Sequence, residues 1–342
     1  MNVVDRIRTA AVGRPPQGHR ARGRWARGRV VCGAAAVLAV VGVGGWAGLT
    51  GQGPDRAAVV SGQSAVAKRL DLSWPREGEA SIALDGVGTL GSSGGQKPVP
   101  IASVAKVMTA YVILKEHPLK GGEQGPRIEV DAAAEQEAYS PDESSAPVRA
   151  GLRLTERRLL ELLLLPSGNN IARLLARWDA GSQQAFTAKM NDAARGLGMD
   201  RTTYTGASGF ETTTRSTADD QLKLAREAMK EPVLRAVVAQ RSTTVPGIPG
   251  PIANTNTLLD RPGVIGLKTG SSTPAGGNLM WAVEVKSGGK RHLVLGVVLG
   301  QRAGTSPTEG LQAALDTSGA LIDAVEKQLP DALAAAETGA GA

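Results

Sequence analysis

The chain has 342 residues, enough for one large domain or two small ones, with an ordinary apolar content and few aromatics. Its net charge of +7 resides in residues 1–29, where eight arginines face only Asp5. The remaining 31 basic and 31 acidic residues balance, which argues against a nucleic-acid-binding domain. The single cysteine, Cys32, excludes an internal disulfide and a cysteine-rich metal site, and His19, His117 and His292 leave little material for a zinc site or a Ser-His-Asp triad.

Residues 1–29, rich in Arg, Gly and Pro, are expected to be a disordered cytoplasmic segment. Val30 to Leu49 is an uncharged run of twenty residues, long enough to cross a bilayer. The arginines before it orient the N-terminus to the cytoplasm and the rest of the chain to the outside. Residues 30–50 therefore read as a membrane anchor or as a cleaved signal peptide. In the first case the protein is held at the cell membrane with its catalytic part outside; in the second it is secreted. Residues 51–73 read as a linker, 74–329 as the folded domain, and 330–342 as a disordered Ala/Gly tail.

Within the domain, Glu79 to Leu84 has a strand pattern, and Asp85-Gly86 marks a turn. Gly91-Ser92-Ser93-Gly94-Gly95 matches the Gly-x-Ser-x-Gly elbow in letters, but Gln96-Lys97-Pro98 stands next where a helix is required, so it reads as a flexible loop. A helix starts at Ser103 and runs to about Glu116. Short strands are expected at Arg127 to Val130 and at Pro147 to Ala150. The acidic stretch between them, Glu135 to Ala146, reads as a solvated loop rimming a site. Thr155 caps a leucine-rich helix that Pro166 ends. Ser167-Gly168-Asn169-Asn170 then links to a helix over Ile171 to Trp178. Further helices are expected over Gln183 to Leu197, Thr217 to Met229 and Thr308 to Leu329, and Asp200 to Ser216 reads as a loop. Three strands are expected: Val264 to Gly270, Asn278 to Lys286 and Lys290 to Gly300, the last two joined by a tight turn.

Ser103 and Lys106 stand three apart at the start of a helix, which places a hydroxyl and an amine side by side on one face. A serine hydroxyl is a weak nucleophile until a base takes its proton, and a lysine whose pKa is lowered by burial or a second cation can be that base. Ser287-Gly288-Gly289-Lys290 has the same spacing but falls in the hairpin turn. Ser167-Gly168-Asn169 lies on a loop between two apolar helices, and Lys268-Thr269-Gly270 lies on a strand. The order and context of the three motifs single out Ser-x-x-Lys, Ser-x-Asn and Lys-Thr-Gly.

With its flanks Pro-Ile-Ala-Ser-Val-Ala-Lys-Val-Met-Thr-Ala, Leu-Leu-Pro-Ser-Gly-Asn-Asn and Gly-Leu-Lys-Thr-Gly, the chain from Glu79 to Gln301 resembles the serine-type D-alanyl-D-alanine carboxypeptidases, the low-molecular-mass penicillin-binding proteins. It departs at Asn170, where that family usually has an acid. The resemblance implies an α/β (α+β) sandwich: a central antiparallel sheet flanked by helices, plus a separate helical cluster. It also implies a serine D,D-peptidase that removes the terminal D-alanine from peptidoglycan stem peptides, with β-lactams as covalent inhibitors and no cofactor or metal.

The implied roles are residue by residue. Ser103 attacks, Lys106 is the base, and Ser167 relays a proton to the leaving amine. Asn169 binds the substrate amide and holds Lys106. Lys268 and Thr269 take the substrate carboxylate, and Lys268, facing it, stays charged and keeps Lys106 neutral. Gly270 lets the substrate backbone lie along the strand, and the N–H groups of Ser103 and Ser271 form the oxyanion hole. The alternatives are a serine β-lactamase, a penicillin-binding sensor without turnover, and an α/β-hydrolase built on Ser93 and His292.

Overall fold

The computed structural model describes residues 65–339. The expected cytoplasmic and membrane segments, 1–29 and 30–50, lie outside the described residues. No described helix is long and apolar enough to cross a membrane.

Five antiparallel strands form one sheet: β1 (Glu79–Leu84), β2 (Gly88–Ser93), β3 (Val264–Ser272), β4 (Gly276–Ser287) and β5 (Lys290–Gln301), in the order β2-β1-β5-β4-β3. The helices are α1 (Lys106–Glu116), α2 (Ala132–Glu137), α3 (Glu156–Leu164), α4 (Asn169–Ala180), α5 (Gln183–Gly196), α6 (Ala218–Ala228), α7 (Pro232–Val238) and α8 (Pro307–Gly339). The sheet joins two strands from the start of the domain with three from its end; β1 and the last three were expected as strands, and β2 adds an edge.

Every residue of β1 is buried, so both faces of the sheet are covered. Alternate side chains of a strand face opposite ways, and two cores result from that. Leu295, Val297 and Leu299 of β5, with Met280 and Ala282 of β4, pack on the helical cluster. Val294 and Val298, with Leu279, Trp281 and Val283, face α8. Gly296 lies under Trp281: a Cβ there would sit 2.0 Å from the indole. At the centre of the cluster is α1, whose residues from Lys106 to Leu114 are all buried.

Several expectations are corrected. The Gly91–Gly95 loop is not a loop at its start; Gly88–Ser93 is an edge strand on β1, with Leu90 buried in the α8-side core. Pro147 to Ala150, expected as a strand, is not one; the strand that pairs with Arg127–Glu129 is Arg153–Thr155, beyond a turn at Gly151 (φ +82°). The acidic stretch includes part of α2, capped by Asp131 Oδ1 on the Ala134 N–H at 2.7 Å. Helix α4 starts at Asn169, two residues early, and α7 has no counterpart among the predicted elements.

The domain also extends past both expected limits. Residues 65–73, expected as linker, bring Val66 and Leu72 into the α8-side core, and Gln328 clasps the Asp71 backbone at both ends of its amide. Helix α8 continues through Pro330 to Gly339, so residues 331–339 are not a disordered tail. A proline inside a helix loses one hydrogen bond and crowds the preceding turn. Burial of Leu329 on one side and Ala332 on the other offsets that loss.

Candidate active site

Ser103 is carried by a 3-10 turn, Ala102–Ala105, that leads directly into α1. Ala102 is held at φ +44°, a sparsely populated conformation for a residue with a Cβ. Its carbonyl packs against Gly209 on the facing loop, where a Cβ would sit 2.0 Å away. The strained residue thus sits at the junction of strand, turn and loop, immediately before the serine.

Lys106 is fully buried, and its Nζ meets three oxygens: Ser103 Oγ at 2.7 Å, Asn169 Oδ1 at 2.5 Å and the Ser208 carbonyl at 2.8 Å. These three partners come from the turn before α1, the start of α4 and the loop after α5. Asn169 reaches this point because Ser167, at φ +66°, reverses the chain after Pro166. Asn170 fastens the acidic segment behind it, donating to the Ala134 and Ala146 carbonyls at 3.1 and 2.9 Å and accepting from the Ala146 N–H at 2.9 Å. An amide fills this donor-and-acceptor site; an ionised carboxylate would leave both carbonyls unmet.

Lys268 is buried on β3, with Nζ donating to the Thr269 carbonyl at 2.9 Å. Thr269 Oγ1 lies 2.5 Å from Thr255 Oγ1. Gly270 is pressed against the turn that holds the serine: a Cβ there would be 2.8 Å from Val104 N and 2.9 Å from Ser103 N. Its lack of a side chain therefore serves the strand-to-turn contact itself, a reason that local sequence does not reveal. Ser271 lines the open cleft.

Burial holds Lys106 well below the ordinary lysine value; the Lys268 and Arg173 cations push in the same direction, while Glu143 and Glu211 oppose them. Burial also pushes Lys268 down to about 7. That lowering belongs to the site without a ligand; the charge expected on Lys268 is the one it carries facing a carboxylate.

A cleft of about 310 Å³ opens in front of these groups, lined by Ser103, Asn169 and Ser271 from the predicted set. Asp142, Glu143 and Ser144 form one wall and Gly209 and Phe210 another, so the acidic stretch does rim the site. Lys106, Lys268, Thr269 and Ser167 lie behind this surface and are buried. Ser167 Oγ has no hydrogen-bond partner among the described residues.

Sequence reasoning missed the Ser208 carbonyl, Glu143 and Arg173. Arg173 stands four residues after Asn169 and so shares its helix face, a signal that was available. The decoys fall away. Ser287 sits opposite Lys290 in a hairpin. Ser93 is level with Ala80 and hence with Val298, six residues along β5 from His292, or about 20 Å.

The family model for D-alanyl-D-alanine carboxypeptidases (peptidase family S11) matches residues 89–303. The chain is 35% identical over 221 residues to the D-alanyl-D-alanine carboxypeptidase DacB2 of Mycobacterium tuberculosis, a match covering 63% of this chain and 72% of that one. The crystal structure of the Streptomyces K15 DD-transpeptidase superposes with a TM-score of 0.63 at 28% identity, covering 72% of this chain and 95% of its own. Penicillin binding protein 6B of Escherichia coli superposes with a TM-score of 0.60 at 26% identity, covering 73% of this chain and 80% of its own. The family match spans β2 to β5 and all three motifs, with the start of α4 that carries Asn169 and the loop that carries Ser208 between them, and the chain belongs to the D-alanyl-D-alanine carboxypeptidase family.

Proposed function

We propose that this serine D,D-carboxypeptidase works through Ser103 as nucleophile and Lys106 as its base. The convergence of Lys106 Nζ on Ser103, Asn169 and Ser208 is the observation that carries the reading. A neutral amine has two N–H groups and one lone pair. The Asn169 and Ser208 carbonyl oxygens take the two N–H groups, which leaves the lone pair for the Ser103 hydroxyl proton. Burial supplies the neutral form, since the cleft gives an ammonium little solvation.

Ser103 Oγ then bonds to the carbonyl carbon of the penultimate D-alanine while its proton passes to Lys106. The N–H groups of Ser103 and Ser271 receive the oxyanion; one such donor is worth about 10²- to 10³-fold in rate. The C–N bond to the terminal D-alanine breaks as its nitrogen takes a proton, with Ser167 Oγ, otherwise unpartnered among the described residues, as the relay. Lys268 and Thr269 receive the terminal carboxylate, and Asn169 the peptide amide. Water attacks the acyl-enzyme, Lys106 again taking the proton, and releases the shortened stem peptide of peptidoglycan. A β-lactam enters the same path, but its leaving amine stays tethered, so the acyl-enzyme persists.

The test is mass spectrometry after incubation with penicillin. One adduct is expected on Ser103, none in Ser103→Ala, and D-alanine release from a pentapeptide only with Ser103 present. Labelling that persists in Ser103→Ala overturns the assignment. A short-lived penicilloyl adduct turned over many times would favour the β-lactamase alternative.

We propose that the catalytic domain lies outside the cell membrane, held there by residues 30–49 or released after their cleavage. The uncharged run behind eight arginines supports this. Recovery of the full chain outside the cytosol is the expected outcome, in the membrane fraction for an anchor and in the medium for a cleaved signal, with soluble activity kept on deleting residues 1–50. Cytosolic recovery of the full chain sinks it.

A further inference from the structure

Glu143 and Arg173 flank the base without bonding to it. Glu143 Oε2 accepts from Asn169 Nδ2 at 2.7 Å and from Arg173 Nη2 at 2.6 Å. The other end of the same Asn169 amide, Oδ1, is the group on Lys106 Nζ. A carboxylate only accepts, so Glu143 fixes which way round the Asn169 amide stands. The Asn169 N–H also donates to the Ser144 carbonyl at 2.8 Å, so the segment carrying Glu143 grips Asn169 twice.

Both partners are largely buried, with side chains 12% and 11% exposed. Arg173 is anchored further by Glu137, itself paired to Arg177 at 3.3 Å, and Arg177 is clamped by Asp131. On the opposite wall the half-exposed Phe210 ring lies 6.0 Å from the Arg173 guanidinium. The charged groups that face Lys106 are Lys268 from β3, Arg173 from α4, Glu143 from the segment before α4 and Glu211 from the loop after α5. Arg173 disfavours the ammonium and Glu143 favours it.

We propose that the Glu143–Arg173 pair is a positioning device for the base: its carboxylate holds the Asn169 amide oxygen on Lys106 Nζ, and the adjacent guanidinium cancels the charge that the carboxylate would otherwise impose there. The inference rests on the reading of Lys106 as the base. An isolated Glu143 carboxylate would hold Lys106 protonated and slow acylation. An isolated Arg173 would disfavour the ammonium and also disfavour its formation as the proton moves. Paired, they orient the amide while leaving the base nearly as the buried cleft sets it.

The test is the rate constant for acylation by a fluorescent penicillin, measured on the full chain from about pH 5 to pH 10, a range that brackets the base. Glu143→Gln keeps an acceptor for Asn169 but removes the negative charge, so the acidic limb should move down by about one pH unit. Arg173→Gln should move it up by about the same amount. The double variant should return the limb close to the wild-type position. Glu143→Ala should also lower the plateau by about tenfold, through loss of the charge-assisted bond that orients Asn169, and Glu143→Gln should restore most of it.

Arg173→Lys keeps the charge, so its limb should stay at the wild-type position even if a poorer fit lowers its plateau or stability. Limbs that coincide in all variants, or that move the same way in both single variants, overturn the proposal. Mapping of the wild-type adduct to a residue other than Ser103 overturns instead the acyl-transfer reading beneath it, and that result is read before any variant.

Discussion

Gly270→Ala adds one methyl group where strand β3 meets the turn that carries Ser103. The new Cβ would lie 2.8 Å from Val104 N, 2.9 Å from Ser103 N and 3.1 Å from the Ile101 carbonyl oxygen. All three are backbone atoms, so no side chain can swing aside. An ordinary contact needs roughly half an ångström more, which strand and turn must supply by separating; overpacking of this kind costs about 1–3 kcal/mol. Ser271 is next to Gly270 on the strand, so the same separation pulls the Ser271 and Ser103 N–H groups apart. Misplacement by about 1 Å costs about a hundredfold in rate, and half that shift should cost about tenfold or more. The assay is the acylation rate with a fluorescent penicillin, alongside thermal unfolding. Gly122→Ala, which meets no atom within 4 Å, is the control and should change neither. Wild-type acylation by a folded Gly270→Ala would refute the reasoning, because the strand–turn contact would then not set the oxyanion geometry.

Lys268, pushed down to about 7 by burial, should gain a proton when a carboxylate ligand binds beside it. Calorimetry on Ser103→Ala near pH 8, in buffers of different ionisation heat, should show net proton uptake that Lys268→Arg lacks; buffer-independent heats would sink it. Lys268→Ala should slow acylation by a penicillin about ten- to a hundredfold and by its carboxyl ester much less, since a charge-assisted hydrogen bond is worth about 1.5–3 kcal/mol. Equal slowing of acid and ester would remove the carboxylate-anchor role. Glu156 is buried, neither carboxyl oxygen has a hydrogen-bond partner among the described residues, and burial raises its pKa from 4.5 to about 7. A raised folded-state pKa gives stability that is complete below 4.5 and lost as pH rises through about 7. The stability gain of Glu156→Gln over wild type should therefore grow by about 2 kcal/mol between about pH 5 and pH 8 in urea unfolding; a constant difference would show that Glu156 does not titrate there.

The sequence made some of this legible and hid the rest for physical reasons. Ser103 and Lys106 could be paired because three-residue spacing on a helix is a local rule, and the strand carrying Lys268 could be read from its apolar alternation. That Lys106 also meets Asn169, 63 residues on, and Ser208, 102 residues on, is tertiary and leaves no local trace. Glu143 lies in a run with Glu135, Glu137 and Asp142, a pattern that reads equally well as a solvated face. Only docking against α4 shows that its partners are Arg173 and Asn169. The Pro330 stop failed in the opposite sense: a sound local rule was outweighed by apolar contacts of α8 with the sheet.

The same distinction bears on the chemistry. The motifs supply a hydroxyl and two amines, but a solvated lysine is charged near neutral pH and cannot take a proton. Burial is the leading cause of the lowered affinity at both Lys106 and Lys268. Ile101, Val104, Val107 and Met108, buried around the start of α1, thus do more than hold the helix in place. On the proposed reading of Lys106 as the base, this burial is what lowers its proton affinity, and a chain with the same three motifs but a wetter α1 would hold the same residues with Lys106 charged. The reactive state of the site is in this sense a property of the apolar core, spread over residues that carry no chemistry of their own.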